Sequence, residues 1–166
     1  SLPSLTNLVD LQLLHCASNQ LTDLPDLSGL SSLERVTSEN NQLRFEDLED
    51  NVNHYNNTNS FESFSYAPQD TLPIFEMPEG TLSVNAGGTL ANNTYNWYNG
   101  TGLVATIMGD NTFSPTINGS YHCEVTNSIV TNASNQQEDL TLISKAIQFE
   151  VSQENTLISC SDGLDN

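Results

Sequence analysis

The sequence predicts a mainly β chain with some helix, built as short stacked coils at the front and a β-sandwich behind. Two observations predict this. First, Leu2-Pro3-x-Leu5-x-x-Leu8-x-x-Leu11-x-x-Leu14-x-Cys16-x-x-Asn19-Gln20-Leu21 is answered 22 residues later by Leu24-Pro25-x-Leu27-x-x-Leu30-x-x-Leu33-x-x-Val36-x-Ser38-x-x-Asn41-Gln42-Leu43. One such coil cannot bury its own apolar face and needs a neighbour. Second, residues 70–152 alternate apolar and polar positions in short runs separated by Gly and Asn turns, the pattern of a sandwich.

In the repeats, Leu14 and Cys16, then Val36 and Ser38, form the inner side of short strands. Cys16 reads as a small core residue, because Ser38 fills the equivalent slot. Asn19 and Asn41 are placed to hydrogen-bond backbone groups at the turn that follows. The third coil fades. Arg44-Phe45-Glu46-Asp47-Leu48-Glu49-Asp50 reads as an acidic, helical turn, and residues 51–65 as a polar loop or cap. Phe45, Phe61, Phe64 and Tyr66 are expected to cover the end of the core. Pro68 disfavours helix at Ala67, so Tyr66-Ala67-Pro68-Gln69 leads out of this part.

Expected strands of the second part are Leu72–Glu76, Thr81–Ala86, Thr94–Tyr98, Leu103–Ile107, Thr112–Ser114, Ser120–Thr126 and a long last strand ending Ile147-x-Phe149-x-Val151. Gly87-Gly88 reads as a turn, and Ser128–Glu138 as a mobile hairpin or binding loop. The domain boundaries drawn from these patterns are 1–66, 67–152 and a linker over 153–166.

Three basic residues (Arg35, Arg44, Lys145) face 21 acidic ones, for a formal charge of −18. Such a field repels phosphate backbones, so a nucleic-acid partner is not expected, and calcium is the first ion to consider. No apolar run approaches the ~20 residues needed to span a bilayer, so no direct membrane insertion is expected. Cys16, Cys123 and Cys160 make neither a disulfide scaffold nor a metal-ligand spacing. Both ends look cut from something longer.

The Leu11-x-x-Leu14-x-Cys16-x-x-Asn19-x-Leu21 frame, repeated from Leu33 to Leu43, resembles the bacterial leucine-rich repeat family. Trp97 in an Asn-Trp-Tyr strand, with Tyr121 two residues before Cys123, resembles the immunoglobulin-like fold. That likeness implies a Trp97 core, a tyrosine corner at Tyr121 and a buried, unpaired Cys123, because Val84 or Ala86 stands where a partner cysteine would be. The implied fold class is α+β/mainly β: a leucine-rich repeat solenoid end followed by an immunoglobulin-like β-sandwich. The tail Cys160-Ser161-Asp162-Gly163-Leu164-Asp165-Asn166 looks like the opening of Asp-Gly segments of secreted bacterial proteins. Asp162 and Asp165 are two carboxylates against the roughly six to eight ligands calcium takes, so the tail reads as a linker that holds calcium only if the run continues. Taken in order, these modules resemble Bacteroidota-type surface proteins exported by type IX secretion, which implies a secreted or cell-surface place. The five Asn-x-Ser/Thr sequons (Asn56, Asn92, Asn99, Asn118, Asn132) are then put down to chance in an Asn- and Thr-rich chain.

No catalytic set is expected. His15, His54 and His122 fall in a strand, a polar loop and another strand, with His122 facing outward, and the pairs Glu46/Asp47, Glu49/Asp50 and Glu138/Asp139 read as solvated charge on turns. The chain is therefore read as a non-catalytic adhesion or recognition module for a protein or glycan, with no resident cofactor. Its candidate patch is the outward side of the first two strands: Leu13, His15 and Ala17, then Arg35, Thr37 and Glu39. Two alternatives stand beside it: a structural subunit of a surface filament or secretion-associated assembly, self-associating by strand addition, and the accessory domains of a large secreted enzyme.

Overall fold

The computed structural model describes residues 1–58, 62–131 and 139–151. Leu13–His15 (β1) and Arg35–Thr37 (β2) pair in parallel with Leu13 opposite Arg35, so the 22-residue repeat is the register of the sheet. The approach to each strand is built alike. Leu8 N–H donates to Leu5 C=O at 2.8 Å and Leu11 N–H to Leu8 C=O at 2.9 Å; Leu30 to Leu27 and Leu33 to Leu30 repeat this at 3.1 Å. The two copies differ in burial. Leu27, Leu30, Leu33 and Val36 are buried, whereas Leu8 is 48% exposed, because the second copy is covered on both sides and the first on one.

That further cover is a helix, Phe45–Thr58 (α1), where a short acidic turn and then a polar loop were expected. Phe45, Leu48, Val52 and Tyr55 recur at three- and four-residue spacing and are buried. Asp47 reaches back to accept the Arg44 N–H at 2.8 Å, closing the first turn. Buried Asn51 accepts from Leu27 N–H at 2.9 Å and donates to Pro25 C=O at 3.1 Å, tying helix to repeat. The Asn-rich composition hid this helix, since asparagine is a weak helix former and the helix rests on its packed face.

Ser63–Ser65 (β3) then adds to β2 in parallel, with Val36 opposite Phe64. Phe64 meets Tyr55 and Tyr66 edge-on at 6.2 and 5.2 Å. Phe45, Phe64 and Tyr66 are buried, and Phe61 lies outside the described residues.

The expected fold class needs correction. The chain is a sheet-rich fold in which no solenoid closes, so the leucine-rich repeat solenoid end does not stand. The parallel sheet holds three strands of three residues, in the order β1-β2-β3. Its third strand arrives through a helix and not through a third copy of the repeat, so the regular coil-on-coil geometry stops after two copies.

The rest is antiparallel. Ile74–Met77 (β4), Thr81–Val84 (β5) and Thr112–Phe113 (β8) form one sheet in the order β4-β5-β8. Asn93–Asn99 (β6), Gly102–Met108 (β7), Gly119–Asn127 (β9) and Leu142–Ile143 (β10) form the other, ordered β10-β9-β6-β7, with Ile147–Phe149 (β11) also on β9. The long last strand is thus two short ones. At the break Ser144 Oγ accepts the Cys123 N–H at 2.8 Å, and Leu72 enters by donating to Ile143 C=O at 2.9 Å. Trp97 is fully buried, stacked on Phe113 at 5.3 Å and opposite the buried, unpaired Cys123; Val84 and Ala86 are buried as well. The Tyr121 hydroxyl donates to Ile117 C=O at 2.8 Å, the bond of a tyrosine corner. This half is compatible with an immunoglobulin-like sandwich.

The two parts share one continuous core. Phe45 N–H donates to Ala86 C=O at 3.0 Å, and the Tyr66 hydroxyl to Thr131 C=O at 3.1 Å. Gly87 and Gly88, both at φ +72°, let the chain pass α1; a Cβ on Gly88 would lie 2.7 Å from Phe45 Cβ. Among the described residues no helix is long and apolar enough to cross a membrane.

Candidate functional site

Parallel register lines the outward residues of β1, β2 and β3 into rows. Leu13, Arg35 and Ser63 make one row; His15, Thr37 and Ser65 make the next. His15 Nδ1 and Thr37 Oγ1 are 3.1 Å apart, which fixes the imidazole edge against the neighbouring strand. Leu13 is 50% exposed, and Arg35 and His15 are exposed as well. Ala17 and Glu39 lie just past the strand ends and are half-buried. Four of the six expected residues, Leu13, His15, Arg35 and Thr37, therefore stand in these rows. Sequence reasoning missed Ser63 and Ser65, although Ser63-Phe64-Ser65-Tyr66 repeats the alternation of Arg35-Val36-Thr37-Ser38.

Under this face Cys16 is buried, and its Sγ donates to Thr37 C=O at 3.2 Å. Burial first, and then the nearby Glu39 carboxylate, push its thiol pKa up, so it stays protonated and packs as a small core residue. One Glu39 carboxylate oxygen is buried with no hydrogen-bond partner among the described residues.

At the strand ends the face turns into a rung-by-rung amide ladder. Asn19 donates to Cys16 and Ala17 carbonyls in its own turn, at 3.1 and 2.9 Å. Asn41, buried, donates to Cys16 C=O at 2.9 Å and Ser38 C=O at 3.0 Å, and accepts from Leu21 N–H at 3.0 Å. Gln69 takes the third rung: its Oε1 accepts from Asn41 and Leu43 N–H at 3.2 and 3.1 Å, and its Nε2 donates to Ser38 and Tyr66 carbonyls at 3.0 and 2.6 Å. Gln69, expected only to lead out, sits three residues past Tyr66 as Asn41 sits three past Ser38. That spacing was the signal available. Beside the ladder run two adjoining clefts of about 380 and 420 Å³ that share Gln42 and Asp70.

No family model, curated protein or solved structure matches this chain.

The remaining chemistry-bearing side chains are dispersed. His15 is on β1, His122 on β9, and His54 on α1, where a loop was expected. His122 lies on the outer side of its sheet but is half-buried, stacked on Tyr98 at 4.8 Å, and the Tyr98 hydroxyl donates to Glu124 at 3.2 Å. Glu46, Asp47, Glu49 and Asp50 lie on α1 and not on a turn. Burial raises the Asp47 carboxyl pKa. Burial acts the same way on Glu49, but hydrogen bonds from Asn127, Thr89 and Asn92 outweigh it and lower that carboxyl pKa. Among the described residues no three His, Cys, Asp or Glu side chains converge as metal ligands. Asp162 and Asp165, the tail carboxylates considered for calcium, lie outside the described residues, as do Cys160 and most of the Ser128–Glu138 loop.

Proposed function

We propose that this chain is a non-catalytic recognition module, secreted or displayed on a cell surface, that meets a protein or glycan through the outer face of β1–β3. The observation that carries this is the register-aligned face itself. Leu13, Arg35, His15 and Thr37 stand in two rows on a rigid sheet, with Ser63 and Ser65 extending it. Among the described residues Arg35 forms no ion pair, although the chain holds 21 acidic residues. An exposed cation without an internal partner, next to an exposed leucine, suits an interface in which both are covered. The test is binding of the purified chain to arrays of extracellular proteins and glycans, set against Leu13→Asp and Arg35→Glu. Binding should fall at least tenfold in both variants at an unchanged melting temperature. Binding that ignores both substitutions would remove this face from the reading.

A second reading, self-association as a structural subunit, is favoured by one observation. β7 is an edge strand without a single charge, and it exposes Leu103, Val104 and Met108 at 57%, 45% and 76%. Uncharged apolar edges are where strands add. Sedimentation across a hundredfold concentration range separates the readings: a monomer throughout removes the subunit.

A further inference from the structure

We infer that the cleft beside the amide ladder is a subsite for a neutral glycan; this deepens the recognition reading above and rests on it. Amides in two roles meet there, beside the Asp70 carboxylate that both clefts share. The ladder amides Asn41 and Gln69 are spent on backbone groups and hold the turns rigid. Gln20, Asn40 and Gln42 are exposed, line the cleft, and make no side-chain hydrogen bond among the described residues. Gln20 and Gln42 are the same position of the two repeats, 22 residues apart, and both line this one cleft.

A primary amide offers an acceptor and a two-hydrogen donor side by side, and a sugar hydroxyl both donates and accepts. The adjoining cleft adds the Thr22 and Thr71 hydroxyls, an apolar wall at Leu72 and Pro73, and Arg44 outnumbered by the Glu46 and Asp70 carboxylates, so its local charge keeps the sign of the whole chain. Charge narrows the class. A formal −18 repels phosphorylated, sulfated and uronate polymers at long range but leaves an uncharged saccharide unaffected. Among the described residues no aromatic ring lines either cleft, so stacking adds nothing and the affinity should be modest.

The test is titration of the ¹⁵N-labelled full chain with cellohexaose, xylohexaose and mannohexaose, and with hexagalacturonate as the anionic counterpart, reading side-chain amide resonances. At least one neutral hexasaccharide should shift the Gln20 and Gln42 amide signals. Gln42→Ala should weaken that binding at least tenfold at an unchanged melting temperature, and hexagalacturonate should leave the signals in place. If no neutral sugar shifts them, if Gln42→Ala binds as well as the parent, or if the anionic sugar binds equally, the subsite falls. Loss of array binding in Leu13→Asp and Arg35→Glu together with silent glutamine amides would sink the subsite and leave the recognition face. Shifted amides with a face indifferent to substitution would do the reverse.

Discussion

Glu49 and Asn127, 78 residues apart, meet at 2.6 Å, the Asn127 amide donating to the carboxylate that α1 carries into the antiparallel half. The same carboxylate accepts Thr89 N–H at 2.9 Å, Thr89 Oγ1 at 2.8 Å and Asn92 Nδ2 at 3.4 Å. Asn127 passes a second hydrogen to Asn93 Oδ1 at 2.7 Å, so one acidic side chain organises the start of β6 and the end of β9. In a chain this acidic, that carboxylate is held by neutral donors and not by a cation.

Removing it should loosen the joint between the helix and the antiparallel half. Hydrogen bonds to a charged acceptor are the strong kind, but this one is partly solvated, so Glu49→Gln should cost about 1 kcal/mol and Glu49→Ala about 2 kcal/mol in urea unfolding. The pH dependence has a fixed sign. The folded carboxyl pKa lies below its unfolded value, so the contribution is whole above the unfolded pKa of about 4.3 and is lost as pH falls through the folded one. Melting temperature should therefore drop less steeply below about pH 4.5 in Glu49→Gln than in the parent. Parallel curves would mean that the joint does not depend on the charge.

Asn41 and Asn19 occupy the same position of the repeat, yet they should respond unequally to substitution. Asn41 is buried and bonds across two coils, so Asn41→Ala strands the Leu21 N–H and leaves the Cys16 and Ser38 carbonyls to Asn19 and Gln69 alone, costing about 2 kcal/mol. Asn41→Asp should be as damaging, since a carboxylate cannot donate to those carbonyls. Asn19 is exposed and bonds only within its own turn, so Asn19→Ala should cost under about 1 kcal/mol. Chemical denaturation of the three variants checks the order.

Cys16 and Cys123 should resist thiol reagents in the native protein. Burial pushes the Cys123 thiol up to about 12, with the Glu124 carboxylate adding to it, and raises the Cys16 pKa too. Thiolate at neutral pH is then scarce and shielded. Peptide mapping after iodoacetamide should find both unmodified before unfolding and both alkylated in urea. Rapid native labelling of Cys123 would contradict its burial.

What was legible in the sequence follows from how local each signal is. The strand registers of β1 and β2 lie in the repeat itself, and the Trp97 and Tyr121 contacts lie in residue type and spacing. The helix Phe45–Thr58 was illegible beyond its first turn, because its asparagines disfavour helix and its apolar face has meaning only against Leu27 and Phe64. The outward patch was readable for β1 and β2 but not for β3, which the helix displaces by 28 residues from β2 in place of 22. The break of the last strand at Ser144 depends on Leu72, about 70 residues away, and no local pattern announces such a partner. The cleft mixes amides spent on backbone groups, such as Asn41 and Gln69, with exposed ones such as Gln20 and Gln42, and residue type alone does not tell the two apart.

Trp97 gives the sharpest test of the antiparallel core. It is fully buried, faces Ala105 and Cys123 across its strand neighbours, and stacks on Phe113. Its indole N–H is buried without a hydrogen-bond partner among the described residues. An orphaned donor costs about 1–3 kcal/mol, so part of what the ring contributes by packing is already offset. Trp97→Phe removes that donor and keeps an aromatic face for Phe113, so its cost should stay near 1 kcal/mol, while Trp97→Ala opens a cavity and should cost about 3–5 kcal/mol. Because Trp97 is the only tryptophan, the comparison has to be followed by circular dichroism and not by emission. Equal losses in the two variants would mean that the indole ring as a whole, and not simply an aromatic face, is what this core requires.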